Sequence, residues 1–562
     1  MLTGEAFSSQ EEDAAVEQAY NWLANQQSTN RSFFLFTRGL LPSYETGTDC
    51  FTYDQALACI AFVLKGDFKK ASQILDFYNN TYKKQLKKYG KFIGFSDAYK
   101  KDGQWGETWA AGPNAWLLVS LNYYNCRTGN GQYLELTKAL ADWLISLQSI
   151  EGGIIGGYYG TGEPMTWIST EHNFDCYTAF RDLGISQNDK RYLEMAKDIK
   201  FWLKNAAWNE KQKRFNMGMD NPNYATDLSS WAVLSLGKAY DVTLDFAMEY
   251  SLTKKFYKVK SVEVEGFDFG STYEASHYPD KDAVWFEGTA QMVLAFDRTG
   301  QAERKGHFLA ELDKAITPSA VYKNSSGLPY ASNEGTPAYG SWLMQDKPLC
   351  ISSTLWYIFA KENFNPFSAD QKDEQANDAV DKLDYRPDYQ FAPTVDDFEY
   401  SVIKFETAYP KPLIEANKAK ISRSQDSFAK DGGHSMRIDF EPEPGPSKCS
   451  GIINRPFLYP QNWSNYNILA LWMYCKSPDI ALRIKLKDKE GEPFESRPRY
   501  PDEIGWQKLE FNLGEDFVRQ SLLPGYGNNN LDREGIRELS FDISTDKAKA
   551  KSALLIDEIT LK

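Results

Sequence analysis

Between residues 11 and 361 the chain repeats one pattern, an amphipathic helical stretch followed by a richer apolar helix that opens on polar residues. The first pair is Glu11 to Gln26, with Ala15, Ala19, Trp22 and Leu23 at helical spacing, then Thr52-Tyr53-Asp54-Gln55 opening an apolar run to Leu64. Further amphipathic stretches near 67–84, 132–149, 190–205, 241–256 and 301–314 precede helices that begin near Gly112-Pro113-Asn114, Asn173-Phe174-Asp175, Asp227-Leu228-Ser229, Phe286-Glu287-Gly288 and Ile351-Ser352-Ser353. With Asp54, Asn114, Asp175, Ser229, Gly288 and Ser353 as anchors, the spacings are 60, 61, 54, 59 and 65. One amphipathic and one mostly buried helix per unit fits a closed ring of hairpins, because each inner helix then touches a neighbour on both sides. The expectation for residues 8–366 is an (α/α)6 barrel. Open helical solenoids have shorter, more uniform repeats.

Residues 367–394 turn polar and acidic and are expected as a linker. From 395 to 562 the period becomes two: Ser435–Phe440, Ile468–Cys475, Ala481–Lys487, Trp506–Leu513, Ile536–Ser544 and Ala553–Leu561 alternate apolar with polar residues between turn signals, which predicts an antiparallel β-sandwich.

A net charge of -14 argues against a nucleic-acid partner, since phosphate neutralisation needs a basic surface. Seven cysteines without CxxC spacing indicate neither a disulfide framework nor a zinc ribbon. The sequence holds no apolar run long enough to span a membrane. Aromatic residues make up 15% of the chain, including 15 Trp and 33 Tyr, and their faces suit the C–H patches of sugar rings as well as core packing.

The segments STEHNFDCYTAF, VWFEGTAQM and SSTLWYIFA, set in six hairpins with acids at the inner-helix mouths, resemble the six-hairpin glycosidase superfamily. The C-terminal segments DDFEY, GGHSMRIDF, ALWMYC, WQKLEFNL and LLIDEITLK resemble a jelly-roll carbohydrate-binding module of the galactose-binding-like kind, similar to family eleven. These resemblances imply a polysaccharide or oligosaccharide partner and a secreted or periplasmic protein, although Met1-Leu2-Thr3-Gly4 shows no signal peptide. They also imply a structural calcium near the first and last strands of the module, where Asp397, Glu399 and Asp557 match in position. No cofactor is expected for catalysis.

Glycoside hydrolysis needs two carboxyl groups flanking the anomeric carbon. Glu171 and Asp175 stand four apart on one helix face, so a partner from another hairpin is required. Asp54, Asp227 and Glu287 open other inner helices. Glu107 lies in Gln104-Trp105-Gly106-Glu107-Thr108-Trp109, where flanking indoles would desolvate a carboxyl and suit it as general acid. Glu107 and Glu171 are the expected pair, with Asp175, Asp54 and Glu287 as the remaining catalytic candidates. Tyr53, Trp105, Trp109, Asn114, His172, Asn173, Asp227 and Trp285 are expected to bind sugar in the barrel, and Trp463 and Tyr500 in the module. A polysaccharide lyase using His172 or a tyrosine as base is the alternative chemistry, and a barrel that binds glycan without cleaving it is the alternative class.

Overall fold

The computed structural model describes residues 9–29, 39–100, 103–149, 151–165, 167–218, 221–270, 282–334, 337–338, 342–343, 345–368, 373–385, 394–396, 398, 406–408, 419–430, 432–442, 449–476, 479–488, 490–520, 530–545 and 552–562. The chain divides into two compact units, Met1–Tyr385 and Arg386–Lys562.

The first unit is helical. In chain order its helices are α1 (Ser9–Thr29), α2 (Thr52–Leu64), α3 (Phe68–Tyr89), α4 (Ala111–Thr128), α5 (Leu134–Ile145), α6 (Thr170–Gln187), α7 (Lys190–Trp202), α8 (Thr226–Trp231), α9 (Val242–Tyr250), α10 (Phe286–Arg298), α11 (Ala302–Ala315), α12 (Ile351–Lys361) and α13 (Asp373–Asp381). The even-numbered helices pack in a cycle, α2 on α4, then α6, α8, α10 and α12, and α12 returns to α2. Their residues are buried nearly all round: Ala56 to Val63 on α2 and Ile351 to Ala360 on α12 have no exposed member. Helices α3, α7 and α11 bury one stripe only, for example Ala71, Ile74, Leu75 and Tyr78 on α3. Helix α8 is the shortest of the cycle, running into a π-turn at Ala232–Leu236 that stops at Gly237, whose φ of 103° only glycine adopts freely.

A shared device fixes each inner helix to the segment that precedes it. The fourth residue of five inner helices accepts an N–H from that segment: Leu41 to Gln55, Phe95 to Asn114, Ile154 to Asn173, Phe267 to Thr289 and Leu328 to Thr354. In α8 the fourth residue, Ser229, pairs with the Tyr224 hydroxyl at 2.8 Å. Gln55, Asn114 and Asn173 also donate back to the same residue, so the incoming chain is clamped in both directions.

The interior narrows onto an aromatic floor. Trp116, Trp231 and Trp356 lie 5.8–6.5 Å apart by ring centroids, and Phe367 packs 5.0 Å from Trp116 and 5.2 Å from Trp231. This corrects the expected linker. Phe367 and α13 belong to the helical unit: buried Arg181 on α6 donates to Asn377 Oδ1, to Ser235 O and to the Phe367 carbonyl, and Tyr177 donates to Asn377 at 2.7 Å. The segment reads as polar because its anchors are amides and one aromatic ring, with Ala376 and Val380 as its buried aliphatics.

The second unit is sheet-rich. Its strands are β1 (Thr394–Asp396), β2 (Glu406–Ala408), β3 (Ala419–Asp426), β4 (Ser435–Pro442), β5 (Cys449–Gln461), β6 (Ile468–Cys475), β7 (Ile480–Lys487), β8 (Pro493–Ser496), β9 (Gly505–Asn512), β10 (Phe517–Arg519), β11 (Ile536–Thr545) and β12 (Ser552–Leu561). One antiparallel sheet has the order β3-β4-β12-β6-β9, with β1 also on β12, and the other runs β2-β5-β11-β7-β8-β10. Alternate residues from both sheets, including Ile438, Leu471, Met473, Ile484, Phe541 and Ile556, meet in one core. Trp463 is in that core at 1% exposure, against Phe457, so it does not offer a face to a sugar. It sits one turn before β6, a position the alternation of the strands does not reach. Tyr500 is 48% exposed.

Candidate functional site

The N-terminal ends of the inner helices converge on a cavity of about 380 Å³. The register of its lining follows from helix geometry. The second residue of every inner helix faces it: Tyr53, Gly112, Glu171, Asp227, Glu287 and Ser352. One turn further in, the sixth residue faces it from four helices, as Trp116, Asp175, Trp231 and Gln291. Third-position Asp54 and His172, the loop residues Asp97, Phe269 and Trp285, and Tyr330 complete much of the wall. Carboxylates at helix N-termini also meet the positive end of each macrodipole. Gly112 gives His172 its place, since a Cβ there would lie 2.3 Å from the imidazole Cδ2.

Glu287 accepts a 2.7 Å hydrogen bond from Tyr53 Oη and a longer one, 3.4 Å, from Gln291. Burial raises its pKa; bonds from Tyr53 and Ser352 partly offset this, and the charge of Glu171 adds to it, leaving it at about 7. Asp54 is pushed up to about 8, mainly by burial, with Ser43 opposing and Glu287 adding. Asp175 and Asp227 are raised well above the carboxylate range by burial first and by Glu171 second. Burial lowers His172 to about 4, so its imidazole is neutral at pH 7. Glu171, half-buried, thus acts on three other carboxyls, Asp175 on its own helix, Asp227 on the neighbouring α8 and Glu287 on α10 beyond it. Oδ1 of Asp175, Oδ1 of Asp227, Nδ1 of His172 and Nε1 of Trp231 are buried without a hydrogen-bond partner.

The structure brings together Asp54, Glu171, Asp175, Asp227, Glu287, Tyr53, His172 and Trp285 from the residues singled out in sequence. It does not bring in Glu107, which is exposed and outside the cavity lining. The turn that carries it precedes the short strand Thr108–Ala110, which pairs with Gly157–Tyr159, and the Glu107 carbonyl accepts from Gly160. Its carboxyl is therefore on the rim strand, not on the helix, and the flanking indoles do not desolvate it. Trp105 is 39% exposed and packs edge-on against Trp109 at 6.3 Å, both outside the lining. Asn114 and Asn173 are outside the lining as well: both are buried fourth-position clamps. Sequence reasoning missed Asp97, Trp116, Trp231, Gln291 and Tyr330. Asp97 comes from a loop, where it accepts from Thr108 Oγ1 and Ala110 N; Trp116, Trp231 and Gln291 were legible as the position four after Gly112, Asp227 and Glu287.

In the second unit, both oxygens of buried Asp557 accept backbone N–H groups, from Lys430 and from Glu558, at 2.8 Å each. Asp397 and Glu399 lie outside the described residues. Among the described residues no group of three or more His, Cys, Asp or Glu is placed to hold a metal ion, and no helix is long and apolar enough to cross a membrane.

No protein-family model and no curated protein matches the chain. Solved structures similar to it include a glycosidase (wild type), at 13% identity over 64% of this chain and 99% of that one, with a TM-score of 0.47. A family 11 carbohydrate-binding module from Clostridium thermocellum, in complex with a β-1,3-1,4-mixed-linked tetrasaccharide, is similar at 19% identity over 30% of this chain and 94% of that one, with a TM-score of 0.24. An exo-β-agarase is similar at 13% identity over 30% of this chain and 25% of that one, with a TM-score of 0.23.

Proposed function

We propose that the helical unit is an (α/α)6 barrel with a glycoside hydrolase site, in which Glu287 is the general acid and Glu171 the second carboxyl group that works with it. The observation that carries this is the pair itself: a buried carboxyl with a pKa of about 7 on α10, within electrostatic reach of a second carboxyl on α6. A group that holds its proton near neutrality can give it to a glycosidic oxygen as the C–O bond breaks. Glu171 then either attacks the anomeric carbon or takes a proton from the attacking water; water supplies the hydroxyl of the new sugar end and the proton that restores Glu287. Asp175, Asp227 and Asp54 hold the sugar, and Trp231 and Trp285 offer it aromatic faces.

The lyase alternative has a neutral base in His172, but β-elimination needs a substrate carboxylate beside the reacting C–H. That anion would enter a cavity whose other ionisable walls are acids. The second unit fits a glycan-binding jelly roll in which Tyr500, unlike Trp463, offers an exposed aromatic face.

Incubating the full chain with a panel of neutral, amino and acidic glycans, read by NMR, tests the proposal. Glu287→Gln and Glu171→Gln should each lower turnover at least about 100-fold while circular dichroism stays unchanged. Saturated products with new reducing ends are expected. Unsaturated ends would transfer the site to a lyase, and binding without products would make it a glycan receptor.

A further inference from the structure

We propose that the cavity takes the end of a glycan chain, seats the terminal sugar on its floor and cuts the chain one sugar from that end. The inference rests on the cavity being the hydrolase site, and it deepens that reading by fixing where along a chain the site acts.

The floor is built by register. Trp116, Trp231 and Trp356 are the sixth residues of α4, α8 and α12, every second helix of the cycle. All three are buried, and Phe367 packs against each of them at 5.0–6.3 Å by ring centroids. Glu171 and Glu287, the proposed catalytic pair, are second residues, so their layer lies one helical turn above the floor. Four residues at about 1.5 Å each give a depth of about 6 Å, and a pyranose ring built from bonds of about 1.5 Å is roughly 5 Å across. One ring fits between the two layers, and a second stacked on it does not. The volume agrees, since about 380 Å³ is near the small end of the roughly 300–1,000 Å³ typical of small-molecule sites.

The floor layer is also polar where a sugar would need it. Asp175 and Gln291, the sixth residues of α6 and α10, alternate with the indoles around the ring and line the cavity. Asp175 Oδ1 and Trp231 Nε1 are buried without a hydrogen-bond partner. Orphaned buried groups are costly, and a sugar hydroxyl completes both, because it accepts from the indole N–H and either donates to or accepts from the Asp175 carboxyl, whatever its protonation. A chain lying across the mouth leaves these two atoms orphaned. A ring lowered onto the indoles reaches them. That ring is walled by all six inner helices, which all contribute to the lining, so only its bond toward the mouth continues the chain. The bond lies at the layer of Glu171 and Glu287, and each cut consumes one water and frees one monosaccharide.

Two measurements on the full chain test this. On any glycan that is cleaved, mass spectrometry should find monosaccharide as the first product while the viscosity of the polymer holds. A ladder of longer products with falling viscosity would overturn the inference and leave the hydrolase standing. The second measurement needs no turnover: hydrogen exchange at the starts of α6 and α10, read in Glu287→Gln so that the ligand stays whole, with linear oligosaccharides of α-1,4-, α-1,6- and β-1,2-linked glucose beside their cyclic counterparts, which have no ends. In at least one series the linear sugar should slow exchange at a concentration at least tenfold lower than the cyclic one. Equal effects in every series that responds, or no slowing in any, would overturn the inference. Adding Trp231→Phe, which keeps a ring on the floor and removes Nε1, should raise the concentration needed at least threefold; Asp175→Asn serves the same purpose if that variant fails to fold, and no rise in either would also overturn it. Slowing by the linear sugars alone, with no turnover of any glycan by the wild type, sinks the hydrolase and leaves the end-on seat.

Discussion

Tyr53 on α2 donates a 2.7 Å hydrogen bond to Glu287 on α10, reaching past α12, whose Trp356 Nε1 donates to the same hydroxyl at 2.8 Å. Three inner helices thereby fix one carboxyl. The tyrosine bond stabilises the charged form of Glu287 and holds its pKa below where burial alone would put it. Tyr53→Phe should therefore raise the pKa of Glu287. If Glu287 is the acid, activity falls as pH rises through about 7 in the wild type, and the alkaline limb of kcat/KM should move upward in the variant. A limb that stays in place or moves down would remove Tyr53 from this role.

The cavity also makes stability depend on pH in the direction opposite to an ordinary salt-bridged carboxylate. Burial lifts the folded-state pKa of Asp54 to about 8, from an ordinary aspartate value of 3.8. The folded state thus keeps a proton that the unfolded chain has released, and the associated stability is full below about pH 4 and is lost progressively as pH rises through about 8. Asp54→Asn should be more stable than wild type at pH 8 by at least about 1 kcal/mol, with the gap closing toward pH 4. Urea unfolding at both pH values measures it. A gap that is largest at pH 4 would contradict the sign.

How far the sequence carried this reading depends on register. The repeat was legible because inner helices are apolar on every face and outer ones on a single stripe, and the helices of the cycle begin 59, 59, 56, 60 and 65 residues apart. Acids placed near those starts, Asp54, Glu171, Asp227 and Glu287, did reach the cavity. The error lay within a turn. At about 100° per residue, positions two and six of each helix point within about 40° of each other and position four about 160° away from both, so the anchors Asn114 and Ser229, at position four, mark the clamps and not the cavity. Glu107 was lost for a related reason: a glycine turn between two tryptophans marks a rim strand as readily as a helix start, and only the pairing of Thr108–Ala110 with Gly157–Tyr159 decides between them.

The clamp position has its own expected signature. Asn173 accepts from Ile154 N at 2.8 Å and donates to Ile154 O at 3.1 Å in a fully buried setting. Asn173→Ala leaves a backbone N–H and C=O of Ile154 unpaired, and should cost roughly 2–4 kcal/mol of unfolding free energy, the scale of one to two orphaned groups. If the cavity is a hydrolase site, the residual folded protein should keep its KM. A stable variant with a raised KM would restore Asn173 to the sugar site.

The floor of the ring sets the limit of the helical unit. Phe367 fills the space among Trp116, Trp231 and Trp356, and α13 is tied to α6 through Asn377, Arg181 and Tyr177. Phe367→Ala removes a ring from this cluster and should cost about 3–5 kcal/mol, as large-to-small changes in a packed core do. A chain ending at residue 366 should be worse, because it also strips the buried Arg181 guanidinium of two acceptors, Asn377 Oδ1 and the Phe367 carbonyl. A chain ending at residue 385 keeps every one of these contacts. Thermal unfolding should show the 385 truncation close to the full chain's helical transition and the 366 truncation aggregated or unfolded; equal stability of the two would mean that Phe367 and α13 rest on the ring without supporting it.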